Sequence, residues 1–509
     1  MATVTSQLTR IHDLEGSLAL VSIGGGAGAA ANTDIFLQGS QSAGRRMSNV
    51  TLSGFMVDDG AGNDLSAANV HVGVWIWVTH YGSLTALRVR IGDNAASTTY
   101  DEHIVPLTEY PALGGWIRVW LDVSRTPDAT GGGGLAENAA RYFGPVVSIP
   151  TVGGNVANVI LDAVDHTTTG LLLTGTSGLW SDFLTADEGS TTNKYGVVSS
   201  ISGIVYCRAR LTLGSASSLV FNDSNFTIVF PQQNIVAADF MGITADLQHA
   251  STNIDWSGGA LQSPGAVKGD LVATGTAGTF DAVSCTLVGL RIVTLTSKCT
   301  LTSTTLLLCG LITQAGAVLT GCAITNAPGA VAVLANDPSK ISGCTFTSDG
   351  TGHAIEISAA GTYTFAGNKF VGYAASDGST GNEAIYNNSG GAVTLNITGG
   401  GDTPSIRNGS GASTTVNNNK SITLTGLKDN TEIRVYTTGT ATELAGIENA
   451  TDGSADNRTF TFSLAAGTDV DIVIHNKIYE YMRIDAFDVP SNDSSIPIAQ
   501  RFDRNYSNP

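Results

Sequence analysis

Three short segments recur at nearly constant spacing and constrain this chain more than anything else in it: Gly321-Cys322-Ala323-Ile324, Gly343-Cys344-Thr345-Phe346 and Gly367-Asn368-Lys369-Phe370, at offsets of 22 and 24. A second set recurs in the same units at offsets of 24 and 30: Ala330-Val331-Ala332-Val333, Ala354-Ile355-Glu356-Ile357 and Ala384-Ile385-Tyr386-Asn387. A motif returning every ~20–25 residues describes the coils of a parallel β-helix, each strand lying ~4.8 Å from the last. On this reading Cys322, Cys344 and Asn368 stack in one internal ladder. Ile324, Phe346 and Phe370 stack beside them, and Thr345 and Lys369 point out. Cys285 and Cys309 open similar runs, which starts the ladder earlier. The six cysteines include no C-x-x-C pair and no His follows at zinc-finger spacing. They read as small apolar core residues, a disulfide staple being the alternative.

Composition supports an all-β chain. Charged residues are 13%, 61 of 509 residues are Gly and hydrophobic residues are 42%. A disordered chain needs more charge and less hydrophobicity, and a coiled coil needs far more Ala, Glu, Lys, Leu and Arg. With 25 basic and 43 acidic residues the net charge is −18 and there is no basic stripe. Nucleic acid and anionic membrane surfaces are therefore not expected partners. The uncharged stretch Cys299 to Asn336 is cut by Gly and Thr throughout, so it is not read as a membrane helix. The opening Met1-Ala2-Thr3-Val4 is not a secretory signal. The expectation is a soluble chain made in a cytoplasm.

Three regions follow along the chain. Residues 1–200 carry long strand-like runs rich in Trp, such as Val70 to Val78, Leu87 to Ile91 and Gly114 to Val123. These fit an antiparallel sandwich of jelly-roll type, with Arg88 and Arg90 on an outer face. Residues 201–420 have short Thr, Ser, Ala and Gly-rich strands, the right-handed parallel β-helix. Residues 421–509 regain charge and alternation, a small β-sandwich that caps the helix end, followed by a tail. The one short helical pattern is Leu135 to Phe143, which follows four glycines and reads equally as a loop.

Chemistry-bearing candidates are few. Asp162, Asp165 and His166 form either an acid/base or metal cluster or a solvated Asx turn. Asp187 and Glu188 are neighbours on a loop, a poor geometry for a glycosidase pair. His353 and Glu356 are expected on opposite faces of one strand, which argues against joint action. Trp75 and Trp77, and Trp116 and Trp120, fall on one face of their strands. They are either sandwich core or a platform on which sugars stack. No catalytic, cofactor or metal residues are assigned. In the tail, Arg501, Phe502, Arg504 and Tyr506 are candidate assembly contacts, because Arg and aromatics dominate interface hot spots. The tail either folds back on its own sandwich or docks to a neighbour.

The order of a Trp-rich β-domain, a Gly/Ser/Thr/Asn-rich β-helix and a β cap resembles bacteriophage virion proteins of the decoration, fibre and tailspike kind. The run Gly114-Gly115-Trp116-Ile117 leading to Asp122-Val123-Ser124-Arg125-Thr126-Pro127-Asp128, and the ending Ile496 to Tyr506, are similar to structural proteins of marine tailed phages. That resemblance implies a homotrimer on the particle surface, assembled in the host cytoplasm; depolymerising tailspikes carry paired carboxylates on the β-helix face, and with no convincing pair in this sequence the expectation is a non-enzymatic protein. Its partners would be capsid or tail proteins, with a host-surface glycan as a possible ligand. The alternative is a tailspike that degrades host polysaccharide as a glycoside hydrolase or lyase.

Overall fold

The computed structural model describes the chain except residues 1, 7–8, 13, 15–18, 25–28, 33–41, 49, 51, 68–69, 97, 106–113, 151–155, 169, 189–196, 231–240, 265–268, 330, 379–380, 451–457, 491 and 505–509. The fold is all-β: among the described residues the only α-helix is Trp180–Glu188. The chain forms two units, Met1–Thr313 and Gln314–Pro509.

The first unit opens with two antiparallel sheets. One runs in the order Gly115–Asp122, His71–Val78, Val156–Thr167, Ser42–Ser48, Ala30–Asn32, with Thr9–His12 also paired to Val156–Thr167. The other runs Ala129–Gly131, Tyr100–Val105, Ala86–Gly92, Ala140–Ser148, Ser53–Asn63, Leu20–Ile23. Alternation builds the core between them: Val72, Val74, Ile76 and Val78 from one sheet join Leu87, Val89 and Ile91 from the other. The helical pattern at Leu135 to Phe143 is instead a 3₁₀ turn, Glu137–Ala139, running into the strand Ala140–Ser148. Its β-branched and aromatic continuation, Tyr142-Phe143-Gly144-Pro145-Val146-Val147, pairs on both edges and overrides the weak local helix preference.

A parallel β-helix follows in the same unit. Three inward columns line it, one from each side: Leu171, Leu211, Ile243, Leu271, Val293 and Ile312; Phe221, Ile254, Phe280 and Cys299; and Val205, Ile228, Leu261, Leu287 and Leu306. The open first rung is covered by Ala2–Ser6, antiparallel to Leu171–Gly178, and by Val198–Ile201, antiparallel to Ile204–Cys207. The helix Trp180–Glu188 plugs the interior there. Trp180 packs edge-on against Phe221 at 4.8 Å and Trp256 at 5.6 Å between ring centroids. Cys285 precedes its strand as the repeat requires, and its neighbour in the column is Thr304, while Cys309 closes a strand at a corner.

The second unit repeats the coil. Ile324, Phe346 and Phe370 stand in register, as do Thr345 and Lys369. The Phe346 and Phe370 rings stack at 5.5 Å. The second repeat set is corrected by two residues: Val333, not Val331, stands opposite Ile355 and then Ile385 and Ile406. A strand alternates with period two, so a two-residue slip preserves every inward and outward position and alternation cannot detect it. All six cysteines are buried, and no disulfide links any two of them. The Cys322 thiol beside it, and then burial, push the Cys344 thiol up from its ordinary pKa. The unit ends in a small sandwich. One sheet holds Arg458–Ala465, Asn419–Leu427 and Ser494–Pro497, the other Glu443–Ala450, Thr431–Thr437, Asp469–His475 and Met482–Asp488.

Candidate functional site

Trp75, Trp77, Trp116 and Trp120 do share one face, the one turned away from the sandwich core. Trp116 lies directly across from Trp77, and Arg118 across from Trp75. That face is covered at one end. Trp75 and Trp120 are 3% and 0% exposed. The Trp120 indole donates to the Arg208 carbonyl at 2.6 Å, and the Arg208 guanidinium lies 5.6 Å from the Trp75 ring. Rings buried this way offer no face to a sugar, so Trp75 and Trp120 join the sandwich to the first β-helix coil instead. Trp77 and Trp116 are half-buried and keep part of the platform. Sequence spacing gave the shared face but could not show that Arg208, far along the chain, covers half of it.

Beneath these rings lies a buried charge cluster. Arg118 sits 4.5 Å from the Trp120 ring and donates to Asp165 at 2.6 Å, while Arg10 pairs with the same carboxylate at 2.6 Å. Gly73 admits this packing, since a Cβ there would lie 2.3 Å from Arg118 Nη2 and 2.6 Å from the Trp120 ring. Asp162 and Asp165 are therefore strand residues, not members of a solvated turn, because the strand Val156–Thr167 continues through them. Burial lowers the His166 pKa. A buried carboxylate held between two guanidiniums is a structural ion pair rather than a group poised for substrate. On the second sheet Glu102 is held likewise, by Arg88 at 2.8 Å and by Arg90 Nε at 2.7 Å. Asp187 and Glu188 close the helix Trp180–Glu188, and their side chains are not among those described.

Two outward constellations on the coils hold chemistry. In the first unit Asp255 and Asp281 stand in register on adjacent parallel strands. Rungs ~4.8 Å apart bring two such carboxyls close on one face. Asn253 donates to Asp255 at 2.8 Å, and Thr279 donates to Asn253 at 2.5 Å. The signal was present as Asn253-Ile254-Asp255 and Thr279-Phe280-Asp281, which lie outside the stretch where the repeats are plainest.

In the second unit Glu356, Tyr386 and Arg407 form an outward ladder over three coils. The His353 ring stacks on Tyr386 at 4.9 Å, and the Arg407 guanidinium lies 5.3 Å from the same ring. Asn388 donates to Glu356 at 2.7 Å. His353 thus lies beside the ladder that Glu356 belongs to, contrary to the expectation of opposite faces. The strand begins only at Ile355, so alternation does not govern His353. The His353 Nδ1 donates to the Glu383 carbonyl at 2.8 Å. The Glu383 carboxylate is buried, and among the described residues neither of its oxygens has a hydrogen-bond partner. Among the described residues no group of three or more His, Cys, Asp or Glu is placed to hold a metal ion.

The tail is described through residue 504. Ser494–Pro497 pairs with Asn419–Leu427, and Ile498 enters the sandwich core. The Gln500 side chain accepts from the Lys428 N–H at 2.7 Å. The Arg501 carbonyl accepts from Glu480 N–H at 2.8 Å, and Phe502 meets Tyr479 edge-on at 6.3 Å while remaining 56% exposed. Arg501 and Arg504 are exposed. Tyr506 lies outside the described residues.

No family model matches the chain, and no curated protein matches it. Solved structures match at low similarity. An exo-beta-agarase is 13% identical over 32% of this chain and 25% of its own, with a TM-score of 0.22. The Agl-KA catalytic domain is 12% identical over 82% of this chain and 98% of its own, at 0.19. The catalytic domain of a GH87 alpha-1,3-glucanase in complex with nigerose is 11% identical over 81% and 86%, at 0.19. The chain thus spans about a quarter of the agarase it matches.

Proposed function

We propose that the protein is a non-enzymatic structural component of a bacteriophage particle, exposed on its surface as a decoration or fibre protein and assembled from several copies. The observation that carries this reading is the pairing of three buried carboxylates with arginines. Asp165 is held by Arg10 and Arg118, Glu102 by Arg88 and Arg90, and Asp270 by Arg291. Carboxylates committed this way brace a scaffold and are poorly placed for proton transfer. Few exposed lysines and a β-helix interior of stacked aliphatics and thiols suit a rigid surface protein. Half-buried Trp77 and Trp116 are the part of the sandwich that would meet a host glycan.

A second reading, cleavage of host polysaccharide, is favoured by one feature, the in-register pair Asp255 and Asp281. Two carboxyls on one face are what glycoside hydrolysis requires. Incubating purified protein with host capsular or lipopolysaccharide glycans separates the two. The structural reading expects no shortening of the chains. Shortening that disappears in both Asp255→Asn and Asp281→Asn would replace it with the hydrolytic one. Cryo-electron microscopy of intact particles tests the location: density for this fold on the outer surface is expected, and its absence from the particle would end the proposal.

A further inference from the structure

We infer that copies of this chain associate through one side of the first unit's β-helix, the face built by Ile204–Cys207, Thr227–Val229, Ala260–Gln262, Thr286–Val288 and Thr305–Cys309. These strands are parallel and in register through five coils. Their central residues, Val205, Ile228, Leu261, Leu287 and Leu306, point inward and are buried. The alternate positions therefore face out and form two columns. One is Ile204, Thr227, Ala260, Thr286 and Thr305. The other is Tyr206, Val229, Gln262, Val288 and Leu307. Every one of these ten positions is half-buried or exposed, and none is charged. Leu307 is 38% exposed, and the apolar surface continues round the corner through Leu308 and Leu311, at 40% and 37%.

The absence of charge identifies the partner. The chain carries a net charge of −18, so two copies repel each other over most of their surface. They meet at least cost where neither presents a carboxylate. The neighbouring side of the same coils does present them, at Asp255 and Asp281. A basic partner would be drawn to that acidic side and would gain nothing from the neutral one. A contiguous apolar sheet face of this kind marks an association site rather than ordinary exposed surface. Here the described outward positions of five successive strands, spanning about 19 Å at the rung spacing, carry no charge. The column from Tyr206 to Leu307 supplies the apolar area that association buries.

This inference rests on the multi-copy part of the proposed function, and the experiment separates the two. Light scattering after size exclusion gives the mass of the full chain, of Val288→Lys and of Leu307→Glu, and of a control, Thr300→Glu, on the neighbouring side. Wild type and the control are expected at a whole multiple of the single-chain mass. Each variant on the neutral face is expected at the single-chain mass with an unchanged β-sheet circular dichroism spectrum. Variants that keep the wild-type multiple would show that this face is not the contact while leaving multi-copy assembly standing. A wild type at single-chain mass would overturn both.

Discussion

Asn368 stands one coil below Cys344 and completes its backbone. It accepts a hydrogen bond from the Cys344 N–H at 3.0 Å and donates one to the Ile341 carbonyl at 2.7 Å. The same column that holds thiols in the coils above thus ends in an amide that bridges two coils. Asn368→Ala leaves both backbone groups buried and unpaired and should cost about 2–4 kcal/mol. A urea titration measures it, and a loss under about 1 kcal/mol would mean that neighbouring groups or water replace the amide.

The Arg118 guanidinium is fully buried against Asp165. Arg118→Met should destabilise by about 3–5 kcal/mol, because a buried carboxylate loses one of two partners. Adding Asp165→Asn should recover part of that loss. Strictly additive effects in the double-mutant cycle would contradict direct coupling.

Burial lowers the His103 pKa, and that of His166, below the ordinary value. The unfolded chain then takes up these protons first as pH falls through about 6.5. Stability contributed by the neutral rings is present above that pH and is lost as pH drops toward 5. The urea midpoint should fall between about pH 7.5 and about pH 5.5, and His103→Gln should flatten the change. An unchanged slope in that variant would remove His103 as a cause.

Glu383 has a buried carboxylate with no hydrogen-bond partner among the described residues. Glu383→Met keeps similar volume and removes an unsatisfied polar group, so it should stabilise the chain by about 1–3 kcal/mol. Thermal unfolding reads this directly. A destabilised variant would mean that the carboxylate is satisfied in solution.

The tail makes separable predictions. Ile498 lies in the sandwich core, and Ile498→Ala should cost about 2–4 kcal/mol. Phe502→Ala should cost less than about 1 kcal/mol, since the ring is largely exposed. If Arg501, Phe502 and Arg504 dock to a neighbour, Phe502→Ala lowers particle incorporation at unchanged stability. Normal incorporation would leave the tail a local clasp.

The coil stack was legible because inward positions such as Ile324, Phe346 and Phe370 repeat a motif that only stacked rungs explain. The slip at Val333 was not, because alternation has no memory beyond two residues. The helix Trp180–Glu188 went unread because its short apolar pattern, Trp180 and Phe183, is set by the interior it plugs. The joined fate of Trp75, Trp120 and Arg208 depends on a contact far apart in sequence, which residue spacing does not encode. Likewise Asp255 and Asp281 became a pair only once their strands were placed rung on rung.

The bonds between coils run along the β-helix axis, as where Thr345 N–H meets the Cys322 carbonyl and Lys369 N–H meets that of Cys344, both at 2.8 Å. Pulling along that axis loads one rung at a time, so the stack unzips coil by coil at a low, nearly constant force. Pushing sideways on the second unit's coils loads several rungs in parallel shear, which resists more strongly. The coils of the second unit are therefore built to open one at a time, and a single-molecule stretching trace would show a train of small yields whose lengths differ as the coils differ in length.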